Sequence, residues 1–72
     1  MTKQERLQKV HASLINGNRR QMVEQINANF ILYDFWDMYL DFLRDACGYN
    51  DTEALAYFSD AVISYHRIKP RM

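Results

Sequence analysis

The chain has 72 residues, of which 49% are hydrophobic and 25% charged, and its formal net charge is zero. This composition indicates one small soluble domain and excludes a disordered chain. The single cysteine, Cys47, excludes an internal disulfide and most zinc sites, which fits a reducing cytoplasm. No apolar run approaches the roughly 20 residues of a membrane span, and no signal peptide precedes the first predicted helix. We therefore expect a cytoplasmic protein that does not enter membranes.

Charge is distributed unevenly along the chain. Residues 1–29 hold five basic and two acidic side chains, residues 30–60 one basic and seven acidic, and residues 61–72 three basic. This layout indicates either pairing between the ends and the middle or separate faces for different partners.

Two helices joined by a tight turn are predicted first. Thr2 and Glu5 have the spacing of a capping box, and Asn18 has the position of a second helix cap. Gly17 separates the two helices, because glycine reaches the left-handed conformation that helix ends often require. The predicted helices span residues 3–16, with the apolar stripe Leu7, Val10, Leu14 and Ile15, and residues 18–28, with Met22, Val23, Ile26 and Phe30.

A bend is predicted near residues 27–29. At about 100° per residue, the apolar stripe of the second helix points the same way as the aspartates that follow, so one straight helix would change its buried face. Asn27 and Asn29 are poor helix formers and lie at the required place. The third helix is predicted over residues 31–47, with Trp36 in the middle of its apolar arc and therefore in the core.

A fourth helix is predicted over residues 51–67. Asn50 or Asp51 caps it, and Pro70 discourages helix at the residue before it. Residues 68–72 are expected to form a loosely held basic tail. The apolar stripe of this helix is Leu55, Phe58, Ala61, Val62 and Tyr65. The predicted fold is therefore all-α, one domain over the whole chain with about four short helices and a largely buried third helix.

The stretch DFWDMYLDFLRD, residues 34–45, carries four aspartates in step: Asp34, Asp37, Asp41 and Asp45. They share a strip about 80° wide and roughly 16 Å long on the third helix. The strip is either a solvated face that keeps an apolar helix soluble or a surface that binds lysine and arginine side chains of a partner. In one form of the second interpretation the carboxylates imitate nucleic-acid phosphates and block a nucleic-acid-binding protein.

The basic first half allows an alternative. A helix, a short turn with glycine and a second helix resemble a helix-turn-helix in outline, and Arg6, Lys9, Arg19 and Arg20 could contact phosphates. Packing of the second helix and repulsion by the neighbouring aspartates count against this alternative.

The other chemistry-bearing residues point to structural roles. His11 and His66 lie at the edges of apolar stripes, and Cys47 is expected as an inert thiol in the last turn of the buried third helix. No nucleophile and base pattern or metal-ligand spacing is present, so we predict no catalytic residue, no metal and no cofactor. We expect a small adaptor, regulator or inhibitor, of the kind that phages and plasmids carry, whose partner is a protein with a basic surface. A homodimer is also compatible with the sequence.

Overall fold

Four α-helices follow one another along residues 2–68, the part of the chain that the computed structural model describes. They are α1 (Lys3–Ile15), α2 (Arg19–Asn29), α3 (Leu32–Asp45) and α4 (Asp51–Ile68). No strand occurs in this range. The all-α prediction is confirmed, and helix boundaries lie within two residues of those predicted. Ile68, predicted as the first residue of the basic tail, is the last residue of α4. The other residues of the predicted tail, 69–72, lie outside the described residues.

Side-chain caps define where three helices begin. The Thr2 hydroxyl accepts from the Glu5 backbone N–H at 3.2 Å, and the Thr2 N–H donates to the Glu5 carboxylate at 3.0 Å. Asn50 and Glu53 form the equivalent pair at the start of α4, with distances of 3.4 and 2.8 Å. These reciprocal bonds satisfy backbone donors that the helix itself leaves free. The Asn18 side chain caps α2 in the same way, through the backbone N–H of its third residue.

The break between α2 and α3 lies at residues 30–31, just after the predicted 27–29. Phe30 and Ile31 have extended backbone conformations, whereas Asn27 and Asn29 remain helical. Both asparagine side chains donate to the backbone carbonyl four residues earlier, at 3.1 Å. These bonds give the amides local partners within the helix, so low helix propensity alone does not end α2.

The core lies where α3 crosses the α1–α2 hairpin and packs against α4. Its fully enclosed centre contains Tyr39, Phe35, Met22, Ile26, Leu43, Val10 and Val23. The predicted stripes are largely confirmed, with three corrections. Ile15 is 55% exposed, Leu55 is 47% exposed, and Trp36 is only half-buried. Ile15 is the last residue of α1, and its neighbour Leu14 takes the buried position in that turn.

Helix α4 packs through a face rotated from the predicted one. Ala54, Ala61, Ser64 and Tyr65 are buried, so small side chains occupy most of the contact. Small residues allow two helix backbones to approach closely, and this packing turns the larger Leu55 outward.

Candidate interaction surface

The four predicted aspartates form one exposed row on α3, here called the acidic ridge. Asp34, Asp37, Asp41 and Asp45 are all exposed. The opposite side of α3 is buried through Phe35, Tyr39, Phe42 and Leu43. The strong one-sidedness of this helix therefore places every ridge carboxylate toward solvent, as the 3.6-residue period requires.

The ridge carboxylates have no ion-pair partner within residues 2–68. The two ion pairs of that range join Arg19 to Asp60 and Arg44 to Asp51, each at 3.2 Å. Arg44, the one basic residue of α3, pairs with the start of α4 and not with the ridge. The fold therefore leaves the charge of the ridge uncompensated by direct contact.

Two large apolar side chains lie beside the ridge at the α2–α3 junction. Ile31 is 71% exposed and Tyr33 is 89% exposed. Ile31 lies at the break itself and Tyr33 in the first turn of α3, on the exposed side of that helix. The sequence prediction named neither residue, although at about 100° per residue Tyr33 lies on the same side of α3 as Asp37. Exposed aromatic and branched side chains next to a charged row are typical of protein interfaces.

A surface cleft of about 400 Å³ runs from the ridge toward α1. Lys3 and Arg6 of α1 line it together with Asp34 and Met38 of α3. A neighbouring cleft shares Lys3 and Met38 with the first and also includes Asp41. Basic side chains of α1 and carboxylates of the acidic ridge thus line the same two neighbouring clefts.

The residues of the nucleic-acid alternative do not form one free basic face. Arg19 donates to the Ser64 hydroxyl at 2.9 Å and pairs with Asp60, so it holds α2 against α4. Arg6 lines the cleft that it shares with Asp34, where a phosphate would meet a carboxylate. Lys9 and Arg20 are exposed. Binding of nucleic acid through these four residues stays a prediction, and the arrangement of two of them weakens it.

A buried histidine joins three parts of the fold. His11 is 6% exposed, and its Nδ1 is hydrogen-bonded to the Tyr39 hydroxyl at 2.9 Å while its Nε2 is hydrogen-bonded to the Tyr49 hydroxyl at 3.0 Å. The ring of Tyr57 meets the imidazole edge-on, with 5.1 Å between centroids. The prediction that His11 lies at the edge of its stripe is wrong, because α3, the following loop and α4 together enclose it. The spacing of one histidine on α1 carries no signal for partners 28 and 38 residues away.

Burial shifts the ionisation of this cluster. Desolvation lowers the pKa of His11 below 6.5, so the neutral imidazole is the stable form in the fold. Desolvation also raises the pKa of Tyr39 and, together with the neighbouring Tyr57, the pKa of Tyr49. His11, Tyr39 and Tyr49 are therefore neutral at pH 7, and hydrogen bonds rather than charges join them.

The remaining candidates for chemistry lie apart from one another. Cys47 lies just after α3 rather than in its last turn, is half-buried, and has its pKa raised by desolvation. His66 is exposed near the end of α4. Within residues 2–68, no three His, Cys, Asp or Glu side chains are close enough to hold a metal ion. None of the helices in that range has the length and apolarity needed to cross a bilayer.

Comparisons with protein-family models, curated protein sequences and solved structures find no match to this chain.

Proposed function

We propose that this protein is a small non-enzymatic binding module that engages a basic surface of a partner protein through the acidic ridge. Its role would be that of an adaptor, a regulator or an inhibitor. The observation that carries the proposal is the row of four exposed carboxylates, none of which forms an ion pair within residues 2–68. Such a row attracts lysine and arginine side chains, which sets orientation and accelerates encounter.

The apolar neighbours of the ridge support a protein partner. Charged rows alone give little affinity, and most binding energy at interfaces comes from a few large side chains that become buried. Tyr33 and Ile31 are exposed beside Asp34 and could supply such contacts. A partner that pairs with the carboxylates and covers these two side chains would combine steering with affinity.

The arrangement of basic residues favours this proposal over the nucleic-acid alternative. Arg19 is engaged with α4, and Arg6 faces the side of the ridge. A phosphate backbone that contacted Arg6 would also lie close to the carboxylates of the acidic ridge. The alternative predicts that nucleic acid is retarded in a gel and that retardation falls steeply with salt. Absence of retardation at low salt would remove it.

The test is affinity capture with the immobilised protein at low and high salt, using two variants that each raise the net charge by two. Asp37→Asn with Asp41→Asn removes the middle of the ridge. Glu24→Lys changes the net charge by the same two units at one exposed position outside the ridge and serves as the matched control. We expect wild type and the control to capture the same partner at low salt and the ridge variant to capture none of it. High salt should elute this partner from wild type and control. Equal capture by all three proteins, with helical content preserved, would contradict the proposal.

A further inference from the structure

The outer face of α4 has a regular pattern that the packing of the described chain does not use. Positions along this face, here called the seam, have the alternating spacing of four and three residues also found in coiled coils, but only Ala56 and Ile63 among them are apolar. They are Thr52, Ala56, Ser59, Ile63 and His66. All five side chains are exposed, and within residues 2–68 nothing covers them. Leu55, also exposed, borders the seam.

The face carries no acidic, lysine or arginine side chain, although 25% of the chain is charged. Soluble domains usually cover an exposed helix face with charged groups, so an uncharged seam marks a surface that meets another surface. Ala56 and Ser59 are small, so the surface at the middle of the seam lies close to the helix backbone. A second helix could therefore approach closely there.

We propose that α4 pairs with α4 of a second copy of this chain, antiparallel, through the seam. In this register Ile63 lies against Ser59 of the second copy, and His66 lies against Ala56 of the second copy. Each large side chain meets a small one, which gives an interdigitated contact. A parallel pair would instead place like residues together, with His66 against His66 and Ala56 against Ala56.

Charge complementarity at the border of the seam supports the antiparallel arrangement. Glu53 and Arg67 lie on the same side of α4, about 21 Å apart along its axis, and both are exposed. Antiparallel pairing brings Glu53 of each copy beside Arg67 of the other, so the two-fold axis generates two opposite-charge contacts. Asp60 lies near that axis, and its charge is balanced within its own chain by Arg19.

The size of the seam sets the expected strength. About six side chains from each copy take part, well below the roughly 20 to 30 residues a side of a standard interface. The dimer is therefore weak, and its population depends on concentration. The acidic ridge is not part of the seam, so this proposal does not depend on the proposed function.

Sedimentation equilibrium from about 10 μM to about 1 mM tests the proposal, since this range covers weak association. Ile63→Lys breaks the seam, whereas Ile15→Lys changes an isoleucine of nearly equal exposure on α1, 55% against 53%, and is the matched control. We expect the average mass of wild type and control to rise with concentration toward that of a dimer. Ile63→Lys should weaken association at least tenfold while helical content is unchanged. A concentration-independent monomer mass for wild type, or equal weakening by both variants, would overturn the proposal.

Cross-linking tests the register. Ala56→Cys and His66→Cys are made separately in a Cys47→Ser background and then mixed under mild oxidation. The antiparallel pair predicts disulfides between the two variants in the mixture and few within either variant alone. Efficient self-linking of the Ala56→Cys variant would overturn the antiparallel arrangement.

Discussion

The hydrogen bond between His11 and Tyr39 should contribute measurably to stability, because both groups are buried and neither has another side-chain partner for the atoms involved. Tyr39 is fully buried and His11 is 6% exposed, with 2.9 Å between Nδ1 and the hydroxyl oxygen. Replacing one partner leaves the other unsatisfied in the core, which costs about 1–3 kcal/mol. Replacing both removes the polar pair and its desolvation penalty together.

A double-mutant cycle measures this coupling. Tyr39→Phe removes the hydroxyl without changing the ring, and we expect a loss of about 1–3 kcal/mol. His11→Leu should cost more, because it also removes the bond to Tyr49 and the edge-on contact with Tyr57. The double variant should be more stable than the sum of the two losses implies, by about 1–2 kcal/mol.

These losses are large for a domain of 72 residues, whose total stability is about 4–11 kcal/mol. A loss of about 1 kcal/mol lowers the melting temperature of a domain this size by about 4–8 °C. The assay is urea unfolding at pH 7.5 followed by helical circular dichroism, with melting temperatures as a second readout. Tyr49→Phe is the comparison, because this hydroxyl is only half-buried and should cost less. A coupling energy near zero, or equal costs for Tyr39→Phe and Tyr49→Phe, would refute the reasoning.

Two further predictions follow from the same coordinates. The pKa of His11 is lowered below its ordinary 6.5, so the unfolded chain binds a proton more readily than the fold. The stabilisation that the neutral imidazole provides is complete above about pH 6.5 and is lost as the pH falls toward the pKa of the folded state. The free energy of unfolding, measured at pH 7 and at pH 5.5, should therefore fall less in the His11→Leu variant than in wild type. Gly17 has φ +80° and open space around it, so Gly17→Ala meets backbone strain without a clash and should cost about 1 kcal/mol by urea unfolding; an unchanged midpoint would contradict this.

Helix ends were predictable because their causes are local. Thr2 with Glu5, and Asn50 with Glu53, lie three residues apart, and their bonds form in the helix that they begin. Gly17 has a positive φ, as its place at the end of α1 indicated. The break after α2 lies just beyond the predicted residues 27–29, because the Asn27 amide donates to a carbonyl of its own helix, which propensity alone does not reveal.

Burial depends on contacts between distant residues, and there the sequence was a poorer guide. Hydrophobicity placed Leu55 in the core, but α4 packs through the smaller Ala54 and Ala61. His11 was placed at an edge because its enclosing partners come from α3 and the loop after it. Residue spacing along one helix does not show which side chains of other helices pack against it.

The acidic ridge was predictable in position because a helix buried through Phe35, Tyr39 and Leu43 can expose only one side. Its composition is a separate matter, since solubility alone requires polar residues and not four aspartates. Aspartate is a mediocre helix former, and like charges at these spacings cost roughly 0.2–0.5 kcal/mol each. Alternating lysine and glutamate would keep the same helix soluble while adding favourable pairs. No ion pair within residues 2–68 offsets this cost by direct contact, although Lys3 and Arg6 line the clefts beside the ridge. A basic partner surface would offset it on binding, and this difference in free energy is the physical basis of the proposed function.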